Sequence, residues 1–161
     1  DSILYATTLW LDIYTRKKQM KKLLSTVAIM ASLTVPAFAE DISIDMLNKR
    51  DDGAKMAYSE DVTRIDVGDT ITWLPKSKGH NVQFIAGPEG WELPKKSKNN
   101  KEVAITFDTP GVYLYQCTPH ATMGMIAMVI VGEDLSNLDD IKAMKMRGKS
   151  KKKMKAILAD L

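Results

Sequence analysis

One cysteine and two histidines are the only thiol and imidazole side chains in this chain of 161 residues. Cys117 and His120 lie three residues apart, whereas His80 lies in a separate segment far upstream. Thiolate and imidazole are side chains that bind transition metals readily. If all three bind one metal ion, the fold must bring two distant segments to the same place. That requirement constrains the fold more than any other feature of the sequence.

Short apolar runs separated by turn residues predict an all-β fold. Alternating apolar and polar residues are typical of strands with one buried face. The segment from Gly87 to Asn100 is rich in glycine, proline, lysine and asparagine, which predicts a long loop. Strands at this spacing favour a β-sandwich or a small barrel. The predicted strands are Ile42–Met46, Val62–Val67, Thr70–Leu74, Asn81–Ile85, Val103–Phe107, Val112–Cys117 and Met125–Val131.

Two amphipathic helices are predicted after the last strand. Ser136 is the predicted N-cap of the first helix, and Ser150 opens the second, which runs from Lys151 to Leu161. Gly148 separates the two helices. We expect both helices to cover one flank of the sandwich. The apolar stripes that predict this packing are Leu138, Ile141 and Met144 in the first helix, and Met154, Ile157, Leu158 and Leu161 in the second.

The N-terminal segment has the pattern of a secretory signal peptide. A charged start after Met20 precedes an apolar run that ends at Leu33, and small residues follow up to Ala39. The apolar run is shorter than the roughly 20 residues of a membrane-spanning helix. It therefore predicts export to the periplasm rather than a membrane anchor. The resulting division of the chain is an upstream extension at 1–19, a signal peptide at 20–39 and one domain at 40–161.

The charge of the predicted domain argues against a nucleic-acid partner. The whole chain has a formal charge of +3, but acidic and basic residues are equal in number within 40–161. Binding to nucleic-acid phosphates depends on clustered positive charge, so we predict no such partner. A lone cysteine cannot form an intramolecular disulfide, and in an oxidising compartment a bound metal protects its thiol. We expect a monomer.

The predicted strands allow one metal ion to meet all three donors. Cys117 ends one strand, His120 follows in the next loop, and His80 precedes another strand. A zinc site would need a second thiolate or another histidine, and the chain has neither. Thioether sulfur suits copper better than zinc, so Met123 and Met125 after His120 favour copper and one-electron transfer. Spacing alone leaves the choice between these two methionines open.

Two neighbours of the ligands favour the same site. Asn81 directly follows His80, so its backbone N–H can donate to the thiolate while its side chain joins the two ligand segments. Pro119 has no N–H and cannot donate to the sulfur, which favours a higher reduction potential.

Six short motifs spread over the predicted domain together resemble the pseudoazurins, type 1 copper proteins of the cupredoxin family. The resemblance implies a cupredoxin-like Greek-key β-sandwich with two C-terminal α-helices and one copper ion. It also implies a periplasmic electron carrier that links respiratory donors to a terminal reductase such as copper nitrite reductase. The implied ligands are His80, Cys117, His120 and Met125. The motifs are Asn48-Lys49, Gly68-Asp69-Thr70, Gly79-His80-Asn81-Val82, Pro110-Gly111-Val112-Tyr113, Cys117-Thr118-Pro119-His120 and Met123-Gly124-Met125.

The resemblance further implies a docking face around the edge of His120, where redox partners bind briefly. Lysines at the rim of such a face steer encounter more than they raise affinity. Gln116 stands where the family commonly has a lysine before the cysteine, so this chain departs from the family there. The candidate residues of the face are the apolar Met56, Pro119, Ala121 and Met123, with Lys49 and Lys78 at the rim.

No catalytic site is predicted. The metal uses both histidines and the cysteine, so none remains for acid–base or nucleophilic chemistry. The alternative function is copper handling, as a chaperone or store that uses the ten methionines. Most of those methionines fall at strand or helix spacings, where filling the core is their usual role.

Overall fold

The computed structural model describes residues 41–161. The predicted extension at 1–19 and the predicted signal peptide at 20–39 lie outside these residues. The described part contains eight strands, a 3₁₀ helix and two α-helices. In chain order they are β1 (Asp41–Lys49), β2 (Lys55–Tyr58), β3 (Val62–Ile65), β4 (Thr70–Leu74), β5 (Gln83–Ala86), β6 (Val103–Thr106), β7 (Gly111–Gln116), the 3₁₀ helix (Thr118–Met123), β8 (Ile126–Val131), α1 (Leu138–Ala143) and α2 (Lys149–Ala159).

The strands form two four-stranded sheets that pack face to face. One sheet has the order β2-β1-β4-β6 and the other β3-β8-β7-β5. β1 pairs with β4 and β3 with β8 in parallel, whereas the other neighbours are antiparallel. Strands that follow one another in the chain repeatedly fall in different sheets, as they do in Greek-key sandwiches. The predicted all-β sandwich is confirmed.

Strands β7 and β8 are buried on both faces. Every residue of β8 is buried, and in β7 only Gln116 is partly exposed. One face of the pair meets the opposite sheet, and the other face is covered by Ile141, Met154 and Ile157 of the two helices. The prediction that both helices cover one flank is confirmed. The rings between the sheets are Tyr58, Trp73, Phe84, Phe107, Tyr113 and Tyr115.

The predicted strands agree with the observed ones to within three residues at each end, and two differences have a clear physical cause. β2 was not predicted, because its four residues carry little alternation by themselves and antiparallel pairing with β1 holds them in place. β5 begins at Gln83 rather than at Asn81, because the preceding backbone pairs with the long loop instead of a strand. The N–H of Asn100, for example, donates to the carbonyl oxygen of His80 at 2.8 Å.

Neither predicted serine caps its helix. Asn137, not Ser136, directly precedes α1, and α2 begins at Lys149, so Ser150 lies within its first turn. The side chain of Asn137 accepts a hydrogen bond from the Val112 N–H and donates one to the Val112 carbonyl, both at 2.8 Å. Asn137 is buried, so these two bonds satisfy β7 backbone groups and fix α1 on the sheet.

The strand order gathers the predicted ligand segments at one end of the sandwich. Cys117 follows β7 and Met125 precedes β8, the antiparallel neighbour of β7. The N–H of Cys117 donates to the carbonyl oxygen of Met125 at 3.0 Å. His80 precedes β5, which pairs with β7 on its other side through Gln83 and Gln116. β7 therefore brings both ligand segments together.

Candidate metal centre

Three side chains from the two segments converge at this end of the sandwich. The Cys117 Sγ lies 3.7 Å from the His80 Nδ1 and 3.5 Å from the His120 Nδ1. All three candidate ligand atoms lie within 4.8 Å of one another. The two imidazole rings are tilted by 56°, with their centroids 4.8 Å apart. Each histidine thus directs the same ring nitrogen towards the sulfur.

The spacing of these atoms fits a single trigonal metal ion. An ion with bonds of about 2.0 Å to nitrogen and about 2.3 Å to sulfur, at trigonal angles, separates nitrogen from sulfur by about 3.7 Å. The observed separations of 3.5 and 3.7 Å match this value. Among the described residues, this trio is the one group of three or more histidine, cysteine or acidic side chains placed to hold a metal.

The two candidate methionines have different environments. Met125 is 0% exposed and belongs to the same core cluster as Cys117. Met123 is 43% exposed, and its side chain lines a surface cleft of about 630 Å³ together with Met56. Burial beside the cysteine therefore favours Met125 over Met123 as a fourth donor.

A 3₁₀ helix shapes the loop that carries Cys117 and His120. Cys117 has extended backbone angles, and Pro119 stands in the first turn of the helix. Gly124 ends the helix in the left-handed region, at φ 102°, which glycine adopts without steric cost. The chain then returns to β8, with the Met125 N–H donating to the His120 carbonyl at 3.3 Å. This tight turn keeps all the candidate ligands of the loop within nine residues.

Asn81 joins the two ligand segments. Its side-chain Oδ1 accepts a hydrogen bond from the Thr118 N–H at 2.8 Å. Its carbonyl oxygen accepts one from the buried Tyr58 hydroxyl at 2.9 Å. The His120 N–H donates to the Cys117 carbonyl oxygen at 3.1 Å. The prediction that the Asn81 side chain joins the two ligand segments is confirmed.

Burial sets the protonation of two of the candidate ligands, Cys117 and His80. It raises the pKa of the Cys117 thiol, and the nearby backbone of Asn81 and His120 offsets only part of that rise. Burial, reinforced by the nearby His120, lowers the pKa of His80. His80 is therefore held neutral, as a metal ligand must be. The thiol needs a nearby cation to lose its proton, and a bound metal ion supplies that charge.

Asn48 is a functional residue whose role was not predicted. The His80 Nε2 lies 2.9 Å from the Asn48 Oδ1. Because a carbonyl oxygen only accepts, the His80 Nε2 carries the proton and its Nδ1 keeps a lone pair directed at the sulfur. Asn48 lies near the end of β1, in the sheet opposite β5 and β7. The Asn48-Lys49 motif contributes to the family resemblance, but the local sequence does not indicate a contact with His80.

The predicted docking face has mixed exposure. Pro119 and Met123 are exposed, whereas Ala121, Met56 and the His120 ring are half-buried. The rim lysines, Lys49 and Lys78, are exposed. Gln116 does not extend into solvent like a lysine, because its side-chain amide donates to the Gln83 Oε1 at 3.0 Å.

Comparison with known proteins identifies the family of this chain. The profile of the family described as copper binding proteins, plastocyanin/azurin family, matches residues 44–132. The chain belongs to this family. A pseudoazurin of Paracoccus pantotrophus is 40% identical over 141 residues, which are 86% of this chain and 96% of that protein. A putative pseudoazurin of Rhizobium leguminosarum bv. viciae is 39% identical over 142 residues, covering 86% of this chain and 91% of the relative.

Solved structures agree with this assignment. The pseudoazurin of Sinorhizobium meliloti superposes with a TM-score of 0.71 at 44% identity, covering 74% of this chain and 94% of that one. The predicted cupredoxin fold with two C-terminal helices is confirmed. The family also confirms copper as the cofactor and electron transfer, rather than catalysis, as the activity. Within residues 41–161, no helix is both long enough and apolar enough to cross a membrane.

Replacing Asn48 tests its orienting role. In Asn48→Ala the His80 ring loses its partner at Nε2, so we expect copper affinity to fall by about 10- to 100-fold. Competition with a chelator of known affinity measures this change. Asn99→Ala removes an exposed asparagine of the long loop and serves as the matched control. Equal affinities in the two variants would show that Asn48 does not orient the ring.

Proposed function

We propose that this chain is a periplasmic one-electron carrier with a single type 1 copper site at the end of the sandwich. The proposed ligands are His80, Cys117, His120 and Met125. The observation that carries the proposal is the approach of the Cys117 Sγ to both Nδ1 atoms, at 3.7 and 3.5 Å. When bound, the copper supplies the one-electron couple. The protein residues hold its surroundings nearly constant in both oxidation states.

The protein residues divide the work at this site. Cys117 provides the thiolate, and its burial excludes water from the sulfur. His80 is 0% exposed and closes the inner side of the site. His120 is half-buried, and Pro119 beside it is exposed. The partly open His120 edge is therefore the route by which we propose that electrons enter and leave, during brief contact with a partner.

Copper storage is less well supported as a function. A store would need several thioethers that are close together and accessible to incoming copper. In the described part, Met46, Met125, Met128 and Met154 are buried within the two core clusters. Their positions indicate packing, and Met123 is the one exposed methionine of that part.

A visible spectrum is the direct test of the proposed site. The protein loaded with Cu(II) should be intensely blue, because thiolate-to-copper charge transfer requires a bound cysteine, and a mild reductant should bleach it. Cys117→Ser should bind copper without this colour, while Gln116→Ala, one residue earlier, should stay blue. A wild-type protein that binds copper but remains pale would exclude a type 1 site.

The axial assignment predicts different effects at the two methionines. Met125→Leu should retain copper and raise the reduction potential, because loss of a thioether donor destabilises the oxidised ion more than the reduced one. Met123→Leu should change the potential little, since Met123 is 43% exposed in a surface cleft. Spectroelectrochemical titration of both variants measures this difference. If Met123→Leu gives the larger shift, Met123 is the ligand.

The physiological setting is a further part of the proposal. We propose cleavage after Ala39 and export, so that residues 40–161 form the mature protein and copper nitrite reductase is one electron acceptor. N-terminal sequencing of protein recovered from the periplasm should begin at Glu40. Reduced, copper-loaded protein should be reoxidised by copper nitrite reductase and nitrite much faster than by nitrite alone. Equal rates with and without the reductase would exclude that acceptor.

A further inference from the structure

We infer that the first turn of α2 is a brace that positions His120 for its role in the copper site. This inference rests on the proposed function. We define the brace as Gly148, Lys149 and Ser150. It packs against the part of the ligand loop that follows His120, from Ala121 to Gly124. Gly148 and Ser150 are thus proposed as positioning residues, which act on the metal through the ligand loop and do not touch it.

The hydroxyl of Ser150 makes a hydrogen bond to the ligand loop. The Ser150 Oγ donates to the carbonyl oxygen of Ala121, the residue directly after His120. A serine in the first turn of a helix commonly bonds to that helix's own backbone, but α2 has no side-chain cap. Ser150 is only 1% exposed, so its hydroxyl has no access to bulk water and depends on this acceptor.

Gly148 allows α2 to approach the same loop closely. It has φ 57° and ψ −139°, in a region that residues with a side chain rarely adopt. A Cβ added at Gly148 would overlap the carbonyl oxygen of Thr122 and lie 3.2 Å from the Thr122 Cα. A Cβ at Gly124 would lie 3.6 Å from the Lys149 Cβ. The start of the helix and the loop therefore pack closely at Gly148 and at Gly124.

The loop needs support from outside because His120 is held less firmly than His80. The His80 ring is fixed at Nε2 by Asn48. The His120 ring contacts the Cys117 sulfur and the His80 ring, but its Nε2 has no hydrogen-bond partner among the described residues. Its backbone lies in a 3₁₀ helix, whose hydrogen bonds have poorer geometry than those of an α-helix. The direction of the His120 ring therefore depends on the position of the loop backbone.

The helix is anchored well enough to act as a brace. Met154 and Ile157 of α2 are buried against the outer face of β7 and β8. Lys153 makes an ion pair with Asp61. Asp61 makes a second ion pair with Arg50, whose Nη1 lies 2.9 Å from the Asp61 Oδ1. These contacts further along α2 thus fix the position of its first turn relative to the ligand loop.

The experiment compares copper release and amide exchange in matched variants. Ser150→Ala removes the bond to Ala121, and Gly148→Ala introduces the overlap with Thr122. Ser136→Ala removes an exposed serine before α1, and Asn137→Ala weakens the anchoring of α1 without touching the ligand loop. For each variant, release of copper to excess chelator is followed by loss of colour. Hydrogen exchange at residues 120–125 is measured on the metal-free protein.

The brace predicts a selective effect. In Ser150→Ala the amides of 120–125 should exchange about two- to tenfold faster than in the wild type, as expected for the loss of one hydrogen bond. Copper should leave about tenfold faster or more. Gly148→Ala should act in the same direction, and it keeps the test decisive if Ser150→Ala folds poorly. Ser136→Ala should leave both quantities unchanged, and Asn137→Ala should lower global stability without a selective change at 120–125.

Three results would overturn the inference. The first is hydrogen exchange of the loop at the wild-type rate in both Ser150→Ala and Gly148→Ala. The second is copper release at the wild-type rate in both variants. The third is an increase in loop exchange in Asn137→Ala as large as theirs. Any one of these outcomes would mean that α2 covers the sheet without positioning His120. Because exchange is measured without metal, its result separates failure of the brace from failure of the proposed copper site, which the wild-type spectrum tests independently.

Discussion

The pairing of β7 with its two neighbours is the constraint on which the rest of the structure depends. β8 pairs with β7 from Gly111–Val131 to Gln116–Ile126, and this register sets Cys117 opposite Met125. β5 pairs with the other edge of β7 and brings the His80 segment alongside. Both faces of β7 are buried, so the core that stabilises the domain also fixes the spacing of the donors. Backbone pairing and apolar burial thus assemble the site from the protein's own residues.

Burial also sets the protonation of the candidate ligands before a metal binds. The same desolvation raises the pKa of Cys117 and lowers that of His80, so the protein by itself favours a protonated thiol and a neutral imidazole. A metal ion reverses the preference at the thiol, which must then release its proton. The neutral imidazole needs no such change. The side chains are therefore already arranged before a metal binds, and the thiol becomes a charged thiolate only when the metal binds.

Sequence reasoning succeeded where a pattern is local, and it missed most polar contacts between distant residues, the one made by Asn81 being an exception. Alternation revealed most strands, and the rarity of cysteine and histidine singled out Cys117 and His80. Asn48, Asn137 and Ser150 are polar residues whose partners lie in other elements of the fold. Their side chains could equally have capped a helix or faced solvent, and the cap predicted at Ser136 shows that error. Only the tertiary arrangement decides which backbone group each one meets.

The two histidine rings are held in different ways, and their exposure explains the difference. His80 is buried, so the hydrogen bond from its ring to Asn48 does not block the approach of another protein. A hydrogen bond of this kind on the His120 ring would cover the edge at which we propose that a redox partner binds. An electron carrier with an open edge therefore has to control that ring through its backbone. The bond from Ser150 to the Ala121 carbonyl does this from behind the loop, and it leaves the His120 edge uncovered.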